Sequence, residues 1–114
     1  MIILRALLKV FVFLFLILSP SQAYCPCEIN KEKLGHATWY LLHEIAKQPD
    51  KNQMAFDAFV QSLSLIYPCK VCRQHFKENL KKHSLIMNSI SMCNFHNHVN
   101  YQLNKTHFNC SNLV

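Results

Sequence analysis

The cysteines of this chain limit its fold more than any other feature of the sequence. All six lie after residue 23, in the part of the chain that runs from Tyr24 to Val114. A domain of this size can bury only a small core, and small domains outside the cytosol are often stabilised by disulfides. We therefore expect paired cysteines, with the pairing to be decided by their spacing along the chain.

The first 23 residues differ from the rest in composition. Basic residues precede an unbroken apolar run, Val10 to Leu18, and small residues stand at Ser21 and Ala23. This order is typical of a secretory signal peptide, and we expect cleavage after Ala23. The alternative is an uncleaved membrane anchor, although the apolar run is shorter than the roughly 20 residues of a membrane span. Residues 1–23 are thus predicted to direct the protein to the endoplasmic reticulum lumen or out of the cell, or to anchor it in a membrane.

The net charge does not indicate a nucleic-acid-binding protein. The formal charge is +6 for the whole chain and falls to +4 when Arg5 and Lys9 leave with the signal peptide. The basic residues are spread along the sequence, with only Lys81 and Lys82 adjacent. Because no basic stripe is present, we expect these charges to be solvated and predict no nucleic-acid partner.

The apolar pattern predicts helices. Gly35 is the only glycine, which argues against a fold built from tight hairpins. We expect an all-α domain, a four-helix bundle over residues 31–114, preceded by an arm of residues 24–30 that carries Cys25 and Cys27. The helices are predicted at about 31–47, 52–65, 69–82 and 92–104. The apolar residues expected to face inward are Leu34, Trp39, Leu42, Ile45, Ala55, Phe56, Phe59, Val60, Leu63, Phe76 and Leu80.

Cys69 and Cys72 form a C-x-x-C pair at the predicted start of the third helix. The free backbone N–H groups and the dipole of a helix N-terminus favour a thiolate, the form that attacks disulfides, so the pair suits redox exchange. Two other interpretations remain open. The pair could be a structural disulfide, or it could bind zinc with Cys93 and His96, since the four residues follow the pattern C-x2-C-x20-C-x2-H and could complete a tetrahedral site.

Three stretches together resemble the flavin-linked sulfhydryl oxidases of the Erv/ALR family. The W-x-x-L-H segment of that family is similar to TWYLLH, residues 38–43. Its Y-P-C-x-x-C redox centre is similar to YPCKVC, residues 67–72. Its C-x-x-H-N-x-V-N-x-x-L-x-K…F-x-C block is similar to CNFHNHVNYQLNK, residues 93–105, followed by FNC, residues 108–110. The three stretches stand in the order of the family and reach across nearly all of the chain after the signal peptide.

The resemblance implies a helical bundle that binds FAD beside the C-x-x-C disulfide. Cys69 would be the interchange cysteine that meets client thiols, and Cys72 would be the cysteine that faces the flavin. Electrons would pass from the pair to FAD and on to molecular oxygen, which becomes hydrogen peroxide. The resemblance further implies a structural disulfide between Cys93 and Cys110 and no bound metal. The implied FAD contacts are Trp39, His43, Tyr67, Cys72, His96, Asn97, Asn100 and Lys105.

The arm, residues 24–30, is predicted to take part in the same electron transfer. Members of the family often carry a second dithiol that passes electrons from clients to the central pair, and Cys25 and Cys27 are predicted to be this shuttle. A disulfide within C-x-C closes a small ring, and strained disulfides are more oxidising; the alternative is that the arm links two protomers. The expected partners are protein thiol clients or a thioredoxin-like disulfide carrier, oxygen, and a second copy in a homodimer. A competing hypothesis is a non-catalytic secreted domain held by three disulfides.

Two sequons for N-linked glycosylation stand near the end of the chain, at Asn104-Lys-Thr106 and Asn109-Cys-Ser111. Such sequons are modified only in proteins that enter the secretory pathway. Asn104 adjoins the lysine implied to contact FAD, and Asn109 adjoins a cysteine of the implied structural disulfide. We therefore expect folding to hide both asparagines and glycosylation to be slight.

Overall fold

The computed structural model of the protein describes residues 29–113. The predicted signal peptide, residues 1–23, and the two cysteines of the arm, Cys25 and Cys27, lie outside the described residues, so their predicted roles stay predictions. Residues 29 and 30 are the only part of the arm that the structure describes.

Four α-helices and no strand are found in the described part of the chain, which confirms the all-α class. We number them α1 (Lys31–Lys47), α2 (Gln53–Ile66), α3 (Lys70–Lys82) and α4 (Ser89–Gln102). α1 packs on α4, α4 packs on α3, and α3 packs on α2. In this order of contacts α3 and α4 lie between α2 and α1, and α4 contacts both the first and the third helix. None of these four helices combines the length and the apolar character needed to cross a bilayer.

Each helix begins at a residue whose side chain caps it. The carboxamides of Asn30, Asn52 and Asn88 accept hydrogen bonds from backbone N–H groups in the first turns of α1, α2 and α4, at 2.8–3.0 Å. Asparagine is a preferred N-cap because its oxygen satisfies an N–H group that the helix cannot. In α3 the cap is Cys69, whose sulfur accepts from the backbone N–H of Cys72 at 3.3 Å. The cysteine pair therefore begins its helix, as the sequence predicted.

The core forms where α1, α2 and α4 meet the connection between α3 and α4. Every residue that was predicted to face inward is buried or half-buried, with the exception of Ala55, which is exposed. Ala55 lies in the first turn of α2 beside Phe56, which is in the core; neighbouring side chains are about 100° apart around a helix, so Ala55 lies on another side of it. The fully buried apolar residues are Leu42, Ala46, Phe56, Val60, Leu85, Met87, Met92 and Phe95.

The prediction for α4 was wrong at both ends. The helix begins at Ser89, three residues before the expected start, because Asn88 caps it. The hydroxyl oxygen of Ser91 also accepts a hydrogen bond from the backbone N–H of Ile86, which fastens the preceding loop to the first turn. The helix ends at Gln102, and Asn104 then adopts the left-handed conformation with φ 53°. Asparagine tolerates this region better than most residues, which makes it a common residue after a helix end.

Candidate cofactor and redox site

A disulfide joins Cys69 and Cys72 at the first turn of α3. Cys69 is only 5 % exposed, whereas Cys72 is half-buried. Exposed apolar residues stand near the pair in sequence: Val71, between the two cysteines, is 60 % exposed, and Ile66, three positions before Cys69, is 73 % exposed. The disulfide thus lies at an apolar surface of the domain, with its N-capping sulfur the more deeply covered of the two.

Tyr67 links this disulfide to α1. Its hydroxyl lies 3.1 Å from the hydroxyl of Thr38, and its carbonyl accepts a hydrogen bond from the guanidinium of Arg73 at 2.8 Å. Thr38 donates its own hydroxyl proton to the carbonyl of Leu34 at 2.8 Å. A hydroxyl has one proton to donate, so Tyr67 must be the donor to Thr38. This contact fixes the residue two positions before Cys69 against the residue that precedes Trp39.

Trp39 and two histidines form an aromatic cluster between α1 and α4. The rings of Trp39 and His96 are stacked, with centroids 3.8 Å apart and planes 9° apart. The imidazoles of His43 and His96 share a hydrogen bond of 3.0 Å between Nε2 of the first and Nδ1 of the second. All three residues are half-buried, so the cluster is packed on one side and accessible on the other.

Both histidines are neutral at physiological pH. Burial, with smaller contributions from His43 and Lys105, lowers the pKa of His96 to about 4. Burial, followed by Lys47, also lowers the pKa of His43. A neutral imidazole has one N–H donor and one acceptor nitrogen. Because each ring uses one nitrogen in the shared bond, the pair still offers one donor and one acceptor to a ligand.

A segment that follows α4 is held against the helix by Asn97. Its carboxamide donates to the carbonyl of Phe108 at 2.8 Å and accepts from the N–H of the same residue at 2.9 Å. A disulfide between Cys93 and Cys110 closes the same loop covalently. We call residues 103–110 the strap. The strap brings the ring of Phe108 to 5.5 Å from that of His96, so it forms one wall of the aromatic cluster.

Asn97 is predicted to contact FAD, and that role stays a prediction; within the described chain its carboxamide bonds the strap. Its amide nitrogen has two hydrogens, and the structure directs one to Phe108 and the other towards the sulfur of Cys110. Only one lone pair of its oxygen remains for a cofactor. Asn97 therefore acts first as the residue that positions the strap.

Asn100 lies one helical turn after His96 and is 5 % exposed. Its backbone carbonyl accepts from the N–H of Lys105 at 2.9 Å, but no hydrogen bond of its side chain is found within residues 29–113. Its carboxamide therefore remains available to a polar ligand. The side chain of Lys105 is exposed at the same end of α4.

These groups fit a ligand with flat ring systems and anionic groups, as FAD has. The aromatic cluster offers ring faces, the histidine pair and Asn100 offer hydrogen bonds, and Lys105 offers a positive charge for a phosphate.

Sequence reasoning missed Thr38 and Phe108, since no local pattern reveals a contact across 29 residues or the wall that a strap forms. The zinc alternative has no support in the described part of the chain, where no three His, Cys, Asp or Glu side chains converge.

The expectation that folding hides both sequons was wrong. Asn104 and Asn109 are both exposed. The carboxamide oxygen of Asn109 accepts from the backbone N–H of Ser111 at 3.1 Å, so this sequon forms a local turn at the surface. The strap is short and lies over α4, and its outer side faces solvent.

The family of the chain follows from comparison with known proteins. A sequence profile described as the Erv1 / Alr family matches residues 36–114, and the chain belongs to this family. The expected resemblance is thereby confirmed. A rice (Oryza sativa subsp. japonica) protein named FAD-linked sulfhydryl oxidase ERV1 is 41 % identical in an alignment of 95 positions that covers 75 % of this chain and 49 % of the relative. The mitochondrial FAD-linked sulfhydryl oxidase ERV1 of Saccharomyces cerevisiae is 33 % identical in an alignment of 90 positions that covers 70 % of this chain and 48 % of the relative.

Solved structures agree with the sequence relatives. The FAD binding domain of Erv1 from Saccharomyces cerevisiae has a TM-score of 0.63 and 29 % identity, covering 73 % of this chain and 89 % of that structure. The yeast Erv1 core has a TM-score of 0.62 and 28 % identity, covering 82 % of this chain and 88 % of that structure. The chain spans about half the length of the relatives named above but nearly all of these cores.

Proposed function

We propose that this protein is an FAD-dependent sulfhydryl oxidase that forms disulfides in protein thiols and passes the electrons to oxygen, with hydrogen peroxide as the product. The contact between Tyr67 and Thr38 carries the proposal, because it joins the Cys69–Cys72 disulfide to the helix that bears Trp39 and His43. A redox-active disulfide and a cluster suited to a flavin are thereby fixed to each other. The names of the relatives, FAD-linked sulfhydryl oxidases, support the same activity.

FAD would be held by the cluster and by the end of α4. We assign Trp39, His43 and His96 to its ring systems, Tyr67 and Cys72 to the side that meets the disulfide, and Asn100 and Lys105 to its polar groups. This set is the one that the family resemblance implies, and the stacked rings of Trp39 and His96 support it. When bound, FAD supplies an acceptor for two electrons and a route from the dithiol to oxygen. Asn97 would contribute to the site mainly by holding the strap, which forms one wall of the aromatic cluster.

The cysteine pair carries out the exchange. A client thiolate attacks the sulfur of Cys69, the bond between Cys69 and Cys72 breaks, and the sulfur of Cys72 leaves as a thiolate. The second client thiolate then attacks the mixed disulfide, which leaves an oxidised client and a reduced pair. The N-terminal position in α3 favours the thiolate of the capping residue, so Cys69 is a good leaving group in this second step.

Cys69 is covered in the resting structure, so client access needs a small opening at the first turn of α3. The side chains of Val71 and Ile66, which stand next to the pair in sequence, are apolar and exposed. A client or a thioredoxin-like carrier with an apolar surface beside its cysteines would fit these two residues better than a strongly charged one. We propose that Cys25 and Cys27 shuttle electrons from bulky clients to Cys69.

The activity is tested on the purified chain without residues 1–23. We expect FAD to copurify, with a visible absorption band, and thiol consumption to match peroxide production. A folded protein that stays colourless after incubation with FAD would refute the proposal.

Replacing Cys25 and Cys27 by serine should leave oxidation of dithiothreitol nearly unchanged and lower oxidation of a folded protein dithiol. Equal losses with the two substrates would show that the arm is structural.

We propose a homodimer from the exposed apolar residues on the outer face of α1. Tyr40 and Leu41 are adjacent in sequence and are 70 % and 49 % exposed. Exposed apolar side chains beside one another are typical of a surface that a partner covers. Sedimentation should give a dimer for the wild type and a monomer for Leu41→Glu, whereas Lys31→Glu, at the start of α1, should stay dimeric.

We propose the secretory pathway as the location, on the composition of residues 1–23. Two yeast relatives, from Saccharomyces cerevisiae and Schizosaccharomyces pombe, are named mitochondrial, which is a different compartment. A fusion of the full chain to a fluorescent protein, imaged with markers for both compartments, distinguishes them. Mitochondrial signal with an uncut N-terminus would refute the signal-peptide prediction.

A further inference from the structure

α4 separates two different surfaces of the domain. Successive residues of a helix are about 100° apart, so residues two positions apart lie on nearly opposite flanks. One flank carries His96 and Asn100 of the cofactor site. The other flank, with Asn94 and His98, lines a cleft of about 620 Å³ together with the C-terminal end of α1 and the loop between α3 and α4. The proposed oxidase function makes no use of this cleft.

Among residues 29–113, the lining of the cleft contains basic side chains and no carboxylate. His83 and His98 stand there with parallel rings, centroids 3.6 Å apart, and two lysines stand at the rim. Lys47 is paired with Glu44 at 2.6 Å. Lys51 makes no ion pair within residues 29–113; it donates one hydrogen bond, to the carbonyl of Ala46 at 2.5 Å. That bond holds its ammonium group at the cleft and leaves two of its protons for a ligand.

Neutral hydrogen-bond donors line the cleft in addition to the lysines. Ser84, Ser89 and Ser91 are among the residues that line the cleft. Ser91 uses its oxygen as an acceptor for Ile86, so its proton is still available. Asn88 uses its oxygen to cap α4, so its amide hydrogens are available as well. The cleft is therefore rich in donors, and its charged side chains leave a positive excess.

An apolar floor lies next to these donors. Ala46 and Phe95 are 0 % and 2 % exposed and form the base of the cleft, and Ile86 and Ile90 stand at its edge, 53 % and 48 % exposed. A ligand that covered the two isoleucines would remove apolar surface from water, which is favourable. Charge on one side and apolar surface on the other suit an amphipathic ligand.

We propose that this cleft binds an organic phosphate, with the phosphate at Lys51 and the serine hydroxyls and an apolar body against Ile86 and Ile90. A phosphate fits better than a carboxylate because the lining found within residues 29–113 has no arginine, whose planar fork matches carboxylates. Separate point donors, an ammonium group and hydroxyls, suit the spread oxygens of a tetrahedral group.

The test is an NMR titration of the purified, isotope-labelled protein with phenyl phosphate. We expect saturable shifts of the backbone amides of Ser84, Ser89 and His98, and weaker binding of both inorganic phosphate and benzyl alcohol, because each lacks one half of the ligand. Shifts centred on His96 and Lys105 would show binding at the cofactor site, and they would overturn the proposal, as would the lack of any saturable shift.

Two variants and a control separate the contributions. Lys51→Met removes a charge-assisted hydrogen bond at nearly constant shape, so binding should weaken about tenfold or more. Ile90→Ser should weaken phenyl phosphate about fivefold and leave inorganic phosphate unchanged. Lys70→Met changes an exposed lysine of α3 outside the cleft and should have no effect. Equal binding by Lys51→Met and wild type would overturn the proposal. Thiol oxidation is not part of this readout, so its result is independent of the oxidase activity.

Discussion

Replacing Thr38 by valine removes one hydroxyl and keeps the shape of the side chain. In the wild type, Tyr67 donates its hydroxyl proton to Thr38 at 3.1 Å, so the variant leaves a half-buried phenol without its acceptor. The net contribution of one such hydrogen bond is about 1 kcal/mol. For a domain of this size, a loss of 1 kcal/mol lowers the melting temperature by about 4–8 °C.

The assay is thermal unfolding of four proteins: wild type, Thr38→Val, Tyr67→Phe and the double variant. The two residues contact each other, so their effects should not add, and the coupling free energy should be about 1 kcal/mol. Thr38→Ser keeps the hydroxyl and should stay close to the wild type. Additive single effects would refute the argument that the two hydroxyls interact.

The same variants test whether the contact between Thr38 and Tyr67 matters for electron transfer. If the Thr38–Tyr67 contact fixes the disulfide against the cofactor site, Thr38→Val should slow electron transfer from the reduced pair more than it weakens FAD binding. Stopped-flow bleaching of the flavin band gives the first quantity, and FAD titration gives the second. An unchanged bleaching rate with a lowered melting temperature would show that the contact stabilises the fold and has no part in aligning the site.

Three further outcomes are expected. Cys69→Ser should strand the thiolate of Cys72 beside bound FAD and produce a broad long-wavelength absorbance that Cys72→Ser lacks; the same band in both variants would contradict the assigned roles. Replacing Cys93 and Cys110 by alanine opens a loop with a sequence separation of 17 and should lower stability by about 3 kcal/mol in the chain-entropy model, measured by urea unfolding. The folded-state pKa of His96 is about 4, below its ordinary 6.5, so the unfolded chain binds more protons between these values; stability should fall as the pH drops from 6.5 towards 4, and His96→Gln should lose less over that range.

Local signals made the helices predictable. Asparagines capping α1 and α2, a proline after the first helix and apolar residues at helical spacing all lie within single elements, so one stretch of sequence is enough to place them. The start of α4 was missed because its first turn, Ser89 to Ser91, is mostly polar and breaks the apolar pattern. Asn88 was the available signal, since it caps the helix there.

Other features could not be read from local sequence. Leu85 and Met87 are buried although they lie in a loop, where no periodicity marks an inward face. The roles of Thr38 and Asn97 depend on partners far along the chain. The resemblance pointed to Asn97 as a cofactor contact, but the structure engages most of its hydrogen-bonding groups with the strap, and only the folded chain brings those atoms together.

The strap has a consequence for how such a protein matures. One wall of its cofactor site is closed by a disulfide between Cys93 and Cys110, so a newly made chain needs an oxidant before that wall is locked. If the protein is itself a thiol oxidase, a finished copy can serve as that oxidant for the next one. Maturation would then be autocatalytic. It would be slow while most copies are reduced, and adding a small amount of mature protein would accelerate it.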